Sequence, residues 1–123
     1  MDILTTIKDH LAEILDIEAE EITLETYLVR DLGVESIDFL ELAVAFNSSL
    51  GIEIEDDEIF LANLRLYLKE AKEGKSDIVS YLAQKYPSLA KERLKQILQD
   101  LDDGPVLKVK DLVSYVSFRC QEG

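Results

Sequence analysis

The sequence predicts an all-α protein, a helical bundle built on one core. Apolar residues recur at three- and four-residue intervals in several segments, which is the spacing of amphipathic helices. Helix-stopping residues separate those segments, among them Gly51, Pro87 and the "DDGP" stretch at residues 102–105. At 123 residues the chain has the length of a single domain, so the helices are expected to share one core.

Residues 2–15 are predicted to form the first helix, whose apolar stripe consists of Ile3, Ile7, Leu11 and Ile14. His10, the only histidine, lies on or beside that stripe, where a packed or half-exposed residue is more usual than a catalytic one. Residues 16–35 are predicted to form a long ordered loop, with Gly33 near its end. Loops of this length are unusual in a compact domain and are often functional.

A second helix is predicted from Ser36 or Ile37 to Leu50, with Gly51 as its C-terminal cap. It carries two apolar stripes. One consists of Phe39, Leu42, Ala43, Phe46 and Leu50, and the other of Ile37, Leu40 and Val44. One stripe should face the core, and exposed members of the other would need additional helices or a partner to cover them. Asp38, Glu41 and Ser48 border the second stripe and give it an acidic rim.

The second half of the chain predicts further helices. "GIEIEDDE" (residues 51–58) suits a turn and the start of a helix, and an apolar repeat then runs from Phe60 to Ala71. Two more helices follow, one capped by Ser76 or Asp77 and one capped by Ser88. Residues 106–120 suit a helix or a strand, and their composition leaves both open.

The net negative charge of the chain comes from its first half. The formal net charge is −13, yet residues 1–60 carry 17 Asp and Glu against two basic residues. Nucleic acid and anionic membrane surfaces are therefore poor partners, and basic proteins are favoured ones, unless the acidity serves only solubility. No apolar run reaches the roughly 20 residues that span a bilayer, and no signal sequence is present, so a cytoplasmic location is expected. Cys120 is the only cysteine, which excludes an intramolecular disulfide.

Catalytic motifs are missing. The chain has no glycine-rich phosphate loop, no Cys/His metal spacing, no EF-hand pattern and no histidine beside a nucleophile, so we expect that it is not an enzyme. Ser36 lacks an activating base, and we expect it to be acted upon by another protein. A phosphate ester there would lie at the positive end of the helix dipole. The alternative is that Ser36 is only an N-cap.

The stretch "DLGVESIDFLELAVAFNSSLGIEIEDDE" resembles the core of an acyl carrier protein, whose usual form is D-L-G-x-D-S-L-D-x-x-E-L followed by an acidic segment. The direct matches are Asp31, Leu32, Gly33, Ser36, Asp38, Glu41 and Leu42. The first helix, its exit "DIEAEEI" and the segment "VKDLVSYV" are also similar to the family. The last of these favours a helical C-terminus.

The resemblance implies that Ser36 carries 4′-phosphopantetheine, transferred from coenzyme A by a separate Mg²⁺-dependent phosphopantetheinyl transferase. The arm would hold acyl groups as thioesters for enzymes of fatty acid, lipid or polyketide-type biosynthesis. Partners with basic patches would dock along the helix that follows the serine, on Glu35, Ile37, Asp38, Glu41 and Val44. The protein would be a monomer without membrane insertion or a metal site.

The resemblance also divides the chain into a carrier core, at 1–60 and 105–120, and a helical insertion at 61–104, within a single carrier domain. The insertion would add two to three helices that extend an acyl pocket, form a private docking surface or only add stability. Glu35 stands where the family usually has aspartate, and residues 47–49 lack its frequent glutamates. An aminoacyl or peptidyl carrier, or an unmodified adaptor protein with a carrier-like fold, is the alternative function.

Overall fold

The computed structural model describes residues 2–122, without the side chains of 121 and 122. This range contains seven α-helices: α1 (Ile3–Leu15), α2 (Ser36–Leu50), α3 (Asp56–Phe60), α4 (Leu64–Glu73), α5 (Ile78–Lys85), α6 (Lys91–Asp100) and α7 (Val109–Glu122). Short 3-10 turns lie at Ala19–Glu21 and Leu101–Asp103. The predicted all-α bundle, with additional helices before the last one, is confirmed.

Several predicted helix ends are confirmed. Gly51 caps α2 in the left-handed conformation at φ +65°, and the Asp77 carboxylate caps α5 by accepting a hydrogen bond from the Ser80 N–H at 3.0 Å. The C-terminal segment, for which a strand was also open, is helical from Val109. Just before this helix, Lys108 forms an isolated antiparallel β-bridge with Tyr27.

Two predicted boundaries are wrong. Phe60 ends α3 and does not continue into the next helix, because Leu61 adopts a left-handed backbone at φ +57° and separates α3 from α4. Ser88 is not the cap of α6, since Ala90 occupies the N-cap position and the helix begins at Lys91. In both places the apolar residues keep their helical spacing across a point where the backbone leaves the helical conformation. Periodicity alone therefore does not locate the end of the helix.

The core is formed by helices from both halves of the chain. Helix α1 packs on α2 and α7, α3 packs on α7, and the inserted helices pack in sequence as α4 on α5 and α5 on α6. Their buried apolar side chains belong to one cluster, which includes Ile7, Leu11, Leu42, Phe46, Ile59, Leu64, Leu82, Leu94, Ile97, Leu112 and Val116. Within residues 2–122 no helix has the length and apolar composition to cross a membrane.

Polar contacts join the inserted helices to the rest of the bundle. The Asp57 carboxylate of α3 accepts hydrogen bonds from the Tyr67 hydroxyl at 2.7 Å and the Tyr86 hydroxyl at 3.1 Å. Arg93 of α6 forms a two-bond ion pair with Asp111 of α7, at 2.7 and 2.8 Å. Because Arg93 and Asp111 are both buried, the position of α6 is coupled to that of α7.

Candidate functional site

Ser36 is the first residue of α2 and is exposed to solvent. The interpretation of this serine as an N-cap is wrong, because Glu35 holds that position and its N–H donates to the Asp38 carboxylate at 2.9 Å. Among the described groups, none accepts a hydrogen bond from the Ser36 hydroxyl and none donates one to it. Its oxygen is therefore accessible to an incoming reactant.

The loop that presents Ser36 is anchored in the core on both sides of a glycine. Leu28 and Val34 are buried, and the Val34 N–H donates to the Leu28 carbonyl at 3.1 Å. Between them Gly33 adopts φ +68°, a conformation that costs other residues about 1 kcal/mol or more. The loop is also held to the segment before α7, where the Leu28 N–H donates to the Leu107 carbonyl at 3.0 Å.

Arg30 and Asp31, at the start of the motif, form hydrogen bonds within the protein. The Arg30 guanidinium pairs with the Asp100 carboxylate at 2.9 Å and donates to the Gly104 carbonyl at 2.9 Å. Hydrogen bonds from the Tyr27 hydroxyl and then from Arg30 lower the pKa of Asp100. Asp31 accepts the Tyr27 N–H at 2.9 Å. These contacts hold the end of the inserted segment against the loop that carries the serine.

One face of α2 is apolar and exposed. Ile37, Leu40 and Val44 are 56%, 57% and 66% exposed, while Leu42 and Phe46 on the other side are fully buried. Residues 37, 40, 41 and 44 follow the spacing of a single helix face, so three of the predicted docking residues, Ile37, Glu41 and Val44, lie together. We call this face, with Leu40, the α2 strip.

The other two predicted docking residues, Glu35 and Asp38, lie at the N-terminal end of the α2 strip. Asp38 is partly buried, whereas Glu35 and Glu41 are exposed. None of these three carboxylates forms an ion pair with a residue in the described part of the chain. Their charges remain available to a cationic partner.

Beside the α2 strip lies a groove of about 460 Å³. Its α2 side contains Leu40, Glu41, Val44 and Ala45, and its α1 side contains His10, Glu13 and Ile14. Sequence reasoning missed the contribution of α1, because helical periodicity does not say which neighbour lies across an exposed stripe.

His10 does not serve Ser36. Its Nε2 lies 2.9 Å from the Ser49 hydroxyl oxygen, at the far end of α2, and its ring packs edge-on against Phe46 with centroids 5.8 Å apart. The one imidazole of the chain is thus placed where it cannot activate Ser36. The described residues also include no group of three or more His, Cys, Asp or Glu side chains that could hold a metal ion.

A second cavity, of about 420 Å³, opens between α2, α3 and the inserted segment. Phe39 of α2 and Phe60 of α3 form part of its wall, with ring centroids 4.7 Å apart. Leu61, Leu64, Leu101 and Leu107 add apolar side chains from the inserted segment and from the chain that follows it. We call this space the insertion cavity.

Comparison with known proteins gives a consistent result. Residues 5–65 match the family model described as the phosphopantetheine attachment site. The chain is also 42% identical over 48 residues to the acyl carrier protein of Helicobacter acinonychis (strain Sheeba). That match covers 39% of this chain and 62% of the relative, which is less than two thirds of its length. No solved structure matches the chain.

The predicted cofactor, covalent 4′-phosphopantetheine, is confirmed by these matches. The structure has a residue that fits it, since Ser36 presents an exposed hydroxyl without a hydrogen-bond partner among the described residues. The N-terminal turn of α2 adds the positive end of the helix dipole, which suits a phosphate diester, although the Glu35 side chain already accepts a hydrogen bond from the Asp38 N–H in that turn. The first turn contains one acidic residue, Asp38, whose carboxylate is occupied by the Glu35 N–H.

Proposed function

Because the chain belongs to the acyl carrier protein family, we propose that it carries acyl groups on phosphopantetheine attached to Ser36. It would deliver them to enzymes of fatty acid, lipid or polyketide-type biosynthesis. The observation that carries this proposal is the exposed Ser36 hydroxyl at the start of α2, without a base beside it. When attached, the arm supplies a thiol that holds the acyl group as a thioester.

Attachment is a group transfer in which this chain is the substrate. The Ser36 hydroxyl oxygen attacks the phosphorus atom of coenzyme A that bears the pantetheine. A new O–P bond forms, the P–O bond of the pyrophosphate bridge breaks, and adenosine 3′,5′-bisphosphate leaves. The serine proton passes to a base of the phosphopantetheinyl transferase, since His10 is engaged with Ser49. In this proposal the protein acts as a carrier, and the chemistry is done by the transferase and the partner enzymes.

Partner enzymes are proposed to bind the α2 strip. Its exposed apolar side chains give a partner apolar area to bury. The carboxylates of Glu35, Asp38 and Glu41, which form no ion pair within the described residues, favour a surface that bears Lys and Arg. The excess of acidic residues in the first 60 positions would accelerate encounter with such a surface and make it sensitive to salt. We therefore expect Glu41→Lys to slow modification and to reduce its salt dependence.

The test is the mass of the intact protein before and after incubation with coenzyme A, Mg²⁺ and a broad-specificity phosphopantetheinyl transferase. The wild type should gain one phosphopantetheine, and Ser36→Ala should gain none. Ser48→Ala is the matched control, because Ser48 is an exposed serine at the other end of the same helix, and it should behave like the wild type. No gain in the wild type, while a known carrier is modified in the same tube, would overturn the proposal and favour an unmodified adaptor protein.

A further inference from the structure

We infer that the inserted segment turns the space beside α2 into a cargo cavity that takes an apolar chain of limited length, with Leu64 as the wall residue that sets the limit. This inference rests on the proposed function, because the chain would reach the cavity from an arm on Ser36. It assigns a role in cargo selection to the inserted helices.

The inserted segment builds much of the cavity. Half of the residues that line it belong to positions 61–104, among them Leu61 at the start of the segment and Gly104 at its end. Leu64, the first residue of α4, is only 5% exposed and faces the same space. Without this segment, Phe39 and Phe60 would stand at an open surface, so the enclosure of the cavity depends on the insertion.

The cavity is close to the attachment point. Phe39 follows Ser36 by three residues, which corresponds to a rise of about 4.5 Å along α2. The wall is also fixed relative to the serine, since Arg30 of the serine loop donates hydrogen bonds to the carbonyls of Asp100 and Gly104, at 3.0 and 2.9 Å. A chain on the arm would therefore meet the cavity within about one helical turn of Ser36.

Chemistry and size define the cargo class. The wall is formed mainly by Leu, Val and Phe side chains, which favour burial of methylene groups over polar cargo. A space of about 420 Å³ accommodates about fourteen carbon atoms, if each methylene group takes about the 30 Å³ that a water molecule occupies in the liquid. An apolar acyl chain of about that length fills the space, and a longer chain leaves its excess in solvent.

The experiment measures the melting temperature of the phosphopantetheinylated protein that carries saturated chains of increasing length through a non-hydrolysable linkage. For each variant the value without a chain is subtracted, so that the effect of the substitution on the fold cancels. In the wild type the gain in melting temperature should rise with chain length up to about fourteen carbons and then remain level. Leu64→Ala removes three carbons from the wall, so the gain should continue to chains longer by about that amount.

Leu68→Ala provides the matched control. Leu68 lies one turn further along α4. Its exposure of 7% is similar to the 5% of Leu64, but it does not line this cavity. It should lower the starting stability without changing the chain length at which the gain levels off. Leu64→Val, a smaller change, replaces Leu64→Ala if the latter does not fold.

The inference is overturned if the loaded wild type shows no dependence on chain length, as it would if the cavity only received a side chain of a partner enzyme. An equal shift in Leu68→Ala and Leu64→Ala would also overturn it. Failure of the proposed function is recognised separately, because the intact mass would then show no loading at Ser36 before any melting curve is recorded.

Discussion

Replacing Arg93 with methionine should reduce the free energy of unfolding by about 3–5 kcal/mol, because it leaves a buried carboxylate without its cation. Arg93 and Asp111 are 9% and 2% exposed. The guanidinium donates to both Asp111 carboxylate oxygens, at 2.7 and 2.8 Å, and to the Val106 carbonyl at 2.9 Å. After the substitution the Lys108 N–H, at 2.9 Å, would be the remaining hydrogen-bond partner of Asp111 within the described chain.

The magnitude follows from desolvation. A buried ion pair contributes little net stability relative to an apolar pair, but removal of one partner leaves the full cost of burying the other charge. The double variant Arg93→Met/Asp111→Asn should therefore recover most of the loss, since asparagine can still accept the Lys108 N–H. Lys95→Met is the control on the same helix. Its pair with Glu92 is exposed and 3.6 Å long, so it should change stability by no more than about 0.5 kcal/mol.

Urea unfolding followed by circular dichroism measures all three variants. We expect a single transition in each, because α6 and α7 contribute to one apolar cluster. The reasoning is refuted if Arg93→Met costs no more than Lys95→Met, or if the double variant is as unstable as the single one. A separate transition for the inserted helices would contradict the proposal of a single domain.

Three further predictions concern stability. Hydrogen bonds from Lys108 and then Lys110 lower the pKa of Glu25 from 4.5 to about 2, so its contribution is complete above pH 4.5 and is lost as the pH falls toward 2. The difference in unfolding free energy between the wild type and Glu25→Gln should shrink over that range, and a constant difference would argue against the assignment. Gly51→Ala should destabilise the protein by about 1 kcal/mol, because φ is +65° there; an unchanged melting temperature would count against the strained cap. Repulsion among the acidic residues of positions 1–60 predicts a melting temperature that rises with NaCl at constant pH, and a fall would contradict it.

Local signals predicted the carrier part of the fold. The two apolar stripes of α2, Gly51 after its last turn and the glycine before Ser36 are all within reach of periodicity and capping rules. Periodicity predicts that one stripe faces the core and that exposed members of the other need additional helices or a partner, and Ile37, Leu40 and Val44 are more than half exposed. Composition alone allows a helix or a strand in the C-terminal segment, and the resemblance to a known family favours the helix that is observed.

Long-range contacts were beyond the sequence. Arg93 and Asp111 are 18 positions apart, and Arg30 and Asp100 are 70 apart, so no local spacing connects them. The same holds for Asp57, which unites α3 with Tyr67 and Tyr86. These contacts fix the position of the inserted helices and therefore the shape of the insertion cavity. The sequence alone allows three roles for the inserted segment, of which an extended acyl pocket is one.

Fragmentation of the tryptic peptide that spans residues 31–65, after modification of the whole protein, tests the central claim most directly. This peptide contains Ser36, Ser48 and Ser49, all three of which are exposed. The proposed function predicts phosphopantetheine on Ser36 alone, with fragment ions that exclude the other two serines. Modification at Ser48 or Ser49, or an unmodified peptide from a reaction in which a known carrier is modified, would contradict it.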